Sequence, residues 1–95
     1  MGASGAATIN FGAAPGTNIA SATITGQAAI ASGSMVEAWI MGLDSTADHN
    51  AYEHAVLPLA LTLSITAITA STGFVVQAAT QLRLSGQIAI RWVWN

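Results

Sequence analysis

The sequence predicts an all-β protein: a small antiparallel β-sandwich or barrel of six to eight short strands. The first indication is a series of segments rich in Ile, Val and Thr, in which apolar and polar residues alternate. The second is the spacing of Gly-centred turns, which separate these segments at intervals of about 8–12 residues. The third is the lack of a segment with the periodicity of an amphipathic helix. A length of 95 residues predicts a single domain.

The first half of the chain predicts a mobile arm and three strands. Residues 1–6 are mostly Gly, Ala and Ser, so we expect a flexible N-terminal arm ahead of one β domain at residues 7–95. Turn signals near Pro15 and Gly33 divide the segments that follow. Strands are predicted at residues 7–12, 17–25 and 35–43. In the third of these, alternation places Val36, Ala38 and Ile40 on one face.

The second half predicts a loop and three further strands. Residues 44–52 are polar and predict a loop with room for one helical turn. A strand is predicted to begin at Val56, followed by the cleanest alternation of apolar and polar residues in the chain. Two more strands are predicted at residues 74–84 and 87–95. The short Ser85-Gly86 connection predicts that these last two strands form a hairpin.

Charge is scarce along the whole chain. Charged residues make up 6% of the sequence, there is no lysine, and the net charge is -2, whereas about 25% charged residues is usual in soluble domains. A surface so poor in charge predicts coverage by other protein, and we expect a homo-oligomer, either a dimer or a trimer. Two arginines cannot form a basic face for nucleic acid or anionic lipid. The absence of cysteine excludes disulfides and thiolate metal ligands.

One uncharged segment raises the question of a membrane. Residues 55–70 are apolar, but they include Pro58 and several hydroxyl side chains. A spanning helix needs about 20 predominantly apolar residues. We therefore expect no membrane partner.

The chemically distinct part of the sequence is residues 35–54, which contain all four acids and both histidines. These side chains have neither the calcium-loop spacing nor the i,i+4 histidine pair of zinc enzymes. A dyad of His49 with Asp44 or Asp48 can be imagined, but no nucleophile motif accompanies it. We expect no catalytic, cofactor or metal site, and no enzyme activity. Two interpretations remain: an exposed polar loop, or a polar contact between subunits.

Aromatic and basic residues near the C-terminus complete the candidate interface. Trp92 and Trp94 share one face of the last predicted strand, which is either core, an interface anchor or a sugar-stacking platform. Arg83 and Arg91 lie on adjacent predicted strands, and each is expected to pair with an acid, within the chain or across subunits. The candidate interface residues are Trp39, Asp44, Asp48, His49, Tyr52, Glu53, Arg83, Arg91, Trp92 and Trp94.

Several segments of the chain carry a resemblance to a known class of proteins. These are T-I-N-F-G-A-A-P-G-T-N at residues 8–18, V-E-A-W-I-M-G at 36–42, D-H-N-A-Y-E-H at 48–54 and L-R-L-S-G-Q-I-A-I-R-W-V-W at 82–94. With this short, Ala/Thr/Gly-rich composition, the chain resembles small structural proteins of tailed bacteriophage virions. The resemblance covers the whole chain by general character and assigns no functional residues.

The resemblance implies a capsid decoration or cement protein, made in the host cytoplasm and located on the capsid surface of the virion. Its partners would be the major capsid protein or other virion subunits, which it would bridge against the pressure of the packaged DNA. The alternative is a tail-fibre, head-fibre or lectin-like module that binds host-surface glycans.

Overall fold

The structure is a computed structural model that describes residues 2–56 and 61–95. These residues form two three-stranded antiparallel sheets, with the strand orders β1-β6-β3 and β2-β5-β4. The all-β prediction is therefore confirmed. The elements are β1 (Ala3–Asn10), β2 (Thr17–Ile24), β3 (Val36–Trp39), α1 (Ala51–Val56), β4 (Leu61–Thr69), β5 (Gly73–Leu84) and β6 (Gln87–Trp94).

The two sheets pack as a sandwich with two lateral seams. β1 of the first sheet lies beside β2 of the second, and β3 lies beside β4, but neither pair is joined by a hydrogen-bonded ladder. The chain crosses between the sheets at nearly every connection, and only β4 and β5 form a hairpin within one sheet. Apolar residues at alternate positions therefore face the space between the sheets.

The prediction of a hairpin at Ser85-Gly86 is wrong, because β5 and β6 belong to different sheets. The backbone of Gly86 bonds to the segment after β1: it donates to the Gly12 carbonyl at 2.7 Å and accepts from Phe11 N–H at 2.8 Å. Gly86 has a φ of 79°, which favours glycine. The chain therefore turns a corner here, and Arg83 and Arg91 do not lie on paired strands.

The core confirms one of the three interpretations of the C-terminal tryptophans. Trp92 and Trp94 are 6% and 4% exposed, so they are core residues and not interface anchors or a sugar platform. Phe74 meets Trp92 edge to face, with ring centroids 5.4 Å apart. Trp94 donates its indole N–H to Gln27 Oε1 at 2.9 Å. The buried apolar core comprises Ile9, Phe11, Ile24, Ile30, Leu61, Phe74, Val76, Ala78, Ile88, Ile90, Trp92 and Trp94.

The prediction of a mobile N-terminal arm is wrong for residues 3–6, because β1 begins at Ala3 and pairs with the end of β6. A glycine is required at residue 5 by the large side chain of Trp92 opposite it. A Cβ on Gly5 would lie 2.5 Å from Cζ2 of Trp92, which is closer than atoms can pack. The small residues that indicated a mobile arm are therefore part of a strand that packs over Trp92.

The centre of the chain agrees with the prediction in part. Residues 36, 38 and 40 turn inward as the alternation predicts, although β3 ends at Trp39. A helical turn was predicted within residues 44–52, and the helix α1 lies later, at Ala51–Val56, so the two overlap only at residues 51 and 52. Because α1 includes Val56, the prediction that a strand begins at Val56 is wrong. The predicted leucine alternation at residues 57–60 lies outside the described residues. Its continuation is confirmed, since Leu61 is buried and Leu63 is half-buried.

Candidate functional site

Several candidate residues gather at an edge of β6 that none of the described strands covers. Met35 and Asn95 exchange both backbone hydrogen bonds, at 3.1 and 2.9 Å. Such pairs alternate along an antiparallel ladder, so the backbone groups of Ala89 and Gln87 point to the same side as those of Asn95. β3 ends at Trp39, opposite Arg91. The β6 backbone is therefore open toward this side over residues 87–89.

Side chains from residues 44–54, which we call the clasp, fill this opening. The Thr46 hydroxyl donates to the Gln87 carbonyl at 2.7 Å. Asp48 Oδ2 accepts from Gln87 N–H at 2.8 Å, and His54 Nε2 accepts from Ala89 N–H at 3.0 Å. Three side chains thus make the hydrogen bonds that a longer β3 would make with its backbone. An uncovered strand edge can pair with other chains, and the clasp prevents this at β6.

His54 is the most buried polar residue of the clasp. Its side chain is 0% exposed, and each ring nitrogen has one partner. Nε2 accepts from Ala89 N–H, so this nitrogen carries no proton, and Nδ1 lies 2.9 Å from the Asn50 carbonyl, to which it donates. These two bonds assign a neutral ring with the proton on Nδ1. His54 is therefore a structural connector between α1 and β6.

His49 has the opposite environment. Its Nδ1 lies 3.2 Å from Glu53 Oε2, and its Nε2 lies 2.8 Å from the Ser85 carbonyl. Both partners are acceptors, so only the protonated ring donates to both at once. The rings of His49 and His54 meet edge to face, with centroids 6.5 Å apart. The clasp therefore holds two neighbouring histidines with different hydrogen-bond partners: His54 accepts one hydrogen bond, whereas both partners of His49 are acceptors.

A reciprocal pair of hydrogen bonds begins α1. Asn50 Oδ1 accepts from Glu53 N–H, and Glu53 Oε1 accepts from Asn50 N–H, both at 2.9 Å. This is a capping box, which satisfies two backbone donors at a helix start. Two hydrogen bonds lower the pKa of the Glu53 carboxyl below its ordinary value. The larger effect comes from the Asn50 N–H, and the next from His49.

Asp44 and Arg91 form the ion pair of the clasp. Arg91 donates from Nε to Asp44 Oδ2 at 2.9 Å and from an Nη to Oδ1 at 2.7 Å. The bidentate geometry fixes the start of the clasp against the outer face of β6. The hydrogen bonds from Arg91 lower the pKa of Asp44, and those to Asp44 raise the pKa of Arg91. The expectation of an acidic partner is thus confirmed for Arg91.

The other candidate residues lie apart from the clasp or face outward. Tyr52 is on α1 but is 75% exposed. Trp39 is 37% exposed at the end of β3. Arg83 is exposed near the end of β5, and none of the four carboxylates, which all belong to the described residues, pairs with it. Each arginine was expected to pair with an acid, within the chain or across subunits. Among the described residues, Arg91 has such a partner within the chain and Arg83 does not.

Thr46, Asn50 and His54 belong to the clasp but are not among the predicted interface residues. Asn50 followed three residues later by Glu53 is a recognisable helix-start signal, and it indicates α1 from sequence. Nothing local distinguishes Thr46 or His54, because their partners lie on β6, more than thirty residues away.

The imagined catalytic dyad is not formed. Asp44 bonds to Arg91, Asp48 bonds to a backbone N–H, and His49 bonds to Glu53. Across residues 2–56 and 61–95, no group of three or more metal-ligating side chains is close enough to hold an ion. No helix within the same residues has the length and apolar character needed to cross a membrane. The geometry of the clasp is that of a structural closure.

The second feature is a groove at the seam between β3 and β4, which we call the β3–β4 groove. By the alternation described above, Val36 and Ala38 direct their backbone groups away from β6 and toward this seam. The groove has a volume of about 450 Å³. Among its lining residues are Val36, Glu37, Trp39, Leu63, Ser64 and Ile65.

Comparison of the chain with protein-family models, with curated proteins and with solved structures finds no match. The clasp and the β3–β4 groove are therefore the features from which a function can be argued.

Proposed function

We propose that this chain is a structural subunit of a tailed-bacteriophage virion, of the decoration or cement type. It would bind the outside of the capsid and bridge neighbouring copies of the major capsid protein or other virion subunits, as a homo-oligomer. Its action would be association alone. Burial of apolar surface contributes roughly 25 cal/mol per Å² before the costs of association are subtracted.

The observation that supports this proposal most is that the polar side chains of the clasp form hydrogen bonds within the chain. Asp44, Asp48, His49, Glu53 and His54 all bond to groups within the chain. The surface of the described residues then consists mainly of small uncharged side chains, single exposed apolar side chains and open strand edges. Such a surface is suited to close contact with other protein, because few charges have to be desolvated.

One observation favours a second candidate, a fibre or lectin-like module that binds host-surface glycans. Trp39 is partly exposed in the β3–β4 groove, where Glu37 and Ser64 also line the surface. An aromatic face beside polar side chains is a suitable arrangement for a sugar ring. Trp92 and Trp94 no longer favour this candidate, because both are buried.

Sedimentation with empty phage heads tests the proposed function. The purified chain is first measured alone for its mass in solution and is then mixed with empty heads of a tailed phage and pelleted. We expect an oligomer that binds the heads saturably and raises the temperature at which they fall apart. A monodisperse monomer that stays in the supernatant would overturn the proposal.

A glycan array with the wild-type chain and the Trp39→Ala variant separates the two candidates. Glycan binding by the wild-type chain that the variant loses, without binding of either to heads, would favour the lectin-like module. Tyr52→Ala is the matched control, because it removes another exposed aromatic ring outside the groove.

A further inference from the structure

We infer that the β3–β4 groove binds the Arg83 side chain of a second copy of this chain, with Glu37 as its carboxylate partner. This inference rests on the proposed function, because it assigns the surfaces by which an assembling subunit contacts its own kind. It names a contact between two different surfaces of the chain, one on β3 and one on β5.

The first supporting observation concerns the charges that have no partner. Arg91 is paired with Asp44, and the carboxylates of the clasp all accept hydrogen bonds from within the chain. In the part of the chain that the structure describes, Glu37 and Arg83 are the carboxylate and the arginine left without such a partner. They have opposite signs and are both exposed, so two copies can supply what each copy lacks.

The second observation is that Glu37 and Arg83 lie too far apart to pair within one chain. Glu37 stands opposite Val93, near the end of β6. Arg83 precedes the corner that leads to Gln87, at the start of β6. The strand between Gln87 and Val93 spans about 20 Å at roughly 3.3 Å per residue. An ion pair between these two residues therefore has to form between copies.

The third observation is the shape of the chain around Arg83. The register between β2 and β5 jumps between Thr17 and Ile19, so residues 80–83 of β5 stand opposite Asn18 alone. Such an excess of residues on one strand is a bulge, which bends the strand locally. Arg83 is thus carried, exposed, on a bulged segment at the end of β5, where a second copy can reach it.

The fourth observation is the chemistry of the groove. Glu37 and Trp39 are separated by one residue on β3, so their side chains share the outward face of that strand. A guanidinium group binds well where a carboxylate accepts its hydrogen bonds and an aromatic face lies beside it. The backbone groups of Val36 and Ala38 at the open edge supply further hydrogen bonds. The groove therefore favours arginine over lysine as the incoming residue.

Charge reversal and mixing test this contact. Glu37→Arg and Arg83→Glu are prepared singly and together, and the mass of each is measured by sedimentation over a series of concentrations. We expect each single variant to self-associate at least about tenfold more weakly, because like charges then meet at the contact. The double variant should regain the wild-type mass, because each contact then joins opposite charges whatever the number of copies. An equimolar mixture of the two single variants should regain it in a dimer, whereas a ring of three copies keeps one contact between like charges.

Matched controls separate the contact from a general effect of charge. Thr8→Arg and Thr23→Glu place the same charged side chains at exposed positions on β1 and β2, with half the change in net charge, and should leave the mass unchanged. Arg83→Lys keeps the charge but loses the planar donor group, and it should weaken association by a smaller factor than Arg83→Glu does. Denaturation in urea confirms that each variant is folded.

Three results would overturn the inference: a wild-type chain that is monomeric at every concentration, single variants that keep the wild-type mass, or a double variant that stays as light as the single variants. Binding to empty heads is measured in parallel. If head binding persists while charge reversal has no effect on mass, the contact is wrong and the proposed function stands. If the double variant regains its mass but heads are never bound, the contact stands and the proposed function fails.

Discussion

The clasp and the β3–β4 groove lie at two strand edges that differ in how their backbone groups are bonded. At the clasp, Thr46, Asp48 and His54 make hydrogen bonds to the backbone of Gln87 and Ala89, to which no strand among residues 2–56 and 61–95 is bonded on that side. At the groove, the backbone groups of β3 face a seam that no side chain spans with a hydrogen bond in the described residues. One edge is closed by polar side chains, and the other is open.

The difference shows what the few polar residues of this chain do. Asp48 and His54 bond to the edge that β3 leaves uncovered, and Asp44, His49 and Glu53 hold the rest of the clasp in place. Among the residues that line the groove, Glu37 is the charged one. Open edges are sites at which another chain can add. The concentration of unusual residues at 44–54 therefore identifies the protected edge, and the accessible edge lies in the plainer sequence of β3.

Proline substitution compares the two edges directly and has the largest expected effect. Ala89→Pro removes the N–H that His54 accepts from and leaves a buried ring nitrogen unpaired, whereas Ala38→Pro removes an N–H at the open edge. We expect Ala89→Pro to lower the free energy of unfolding by about 2 kcal/mol more than Ala38→Pro does. Urea denaturation measures both. Equal losses would mean that the edge at Ala89 is not closed as described.

Substitution of His54 asks whether its acceptor nitrogen matters more than its bulk. His54→Leu keeps an apolar volume but leaves Ala89 N–H without a partner, whereas His54→Gln can place an amide oxygen near the position of Nε2. We expect Leu to cost about 1–2 kcal/mol more than Gln in the free energy of unfolding. Thermal and urea unfolding of both variants check this. A leucine variant as stable as the glutamine variant would contradict the role of the hydrogen bond.

Two glycines with similar φ angles measure how tightly the clasp packs at the corner. A Cβ on Gly86, with φ 79°, would lie 2.6 Å from Cβ of Asp48, whereas a Cβ on Gly12, with φ 89°, would meet no atom within 4 Å. Both Ala substitutions incur the conformational cost of a positive φ. We expect Gly86→Ala to cost about 1 kcal/mol more, as the contact displaces Asp48. If urea denaturation gives equal losses of unfolding free energy for the two variants, Asp48 moves away from the new Cβ without cost.

The pH dependence of stability gives the smallest expected effect and tests the ion pair of the clasp. Folding lowers the pKa of Asp44 below its ordinary value of 3.8 and that of Glu53 below 4.5. Groups of this kind contribute stability above their ordinary pKa and lose it as the pH falls toward the folded-state value. We expect wild-type stability to fall below about pH 4.5 and to fall less steeply in Asp44→Asn. Arg91→Gln should flatten the curve similarly, and unchanged curves for both would contradict the pairing.

The strands of this fold were largely predictable, because a strand's pattern is local. Alternate side chains of a strand face opposite sides, so the inward set Ile88, Ile90, Trp92 and Trp94 follows from spacing alone. β1 was predicted in part only. Gly and Ala at residues 3–6 indicate an arm when read locally, and the reason why Gly5 has no side chain is a tryptophan on another strand.

The clasp was predictable as a location but not as a structure. Its residues stand out in the sequence, and an acidic partner for Arg91 was expected. Which acid pairs with Arg91 depends on where β3 ends and how the following loop crosses β6, which brings Asp44 to an arginine 47 positions later in the chain. Spacing rules for metals and catalysis compare residues that are close in sequence, so they are silent about such long-range pairs.

By itself, the sequence determined the all-β class, the inward faces of the strands and the scarcity of charge, since these depend on side-chain periodicity and composition. The tertiary structure decided which strands pair, that β5 and β6 meet at a corner between sheets, and which backbone groups remain without a strand partner. The position of those unpaired backbone groups sets the role of the polar side chains of the clasp. A buried N–H or carbonyl must be hydrogen-bonded, and the fold brings these side chains within reach of it.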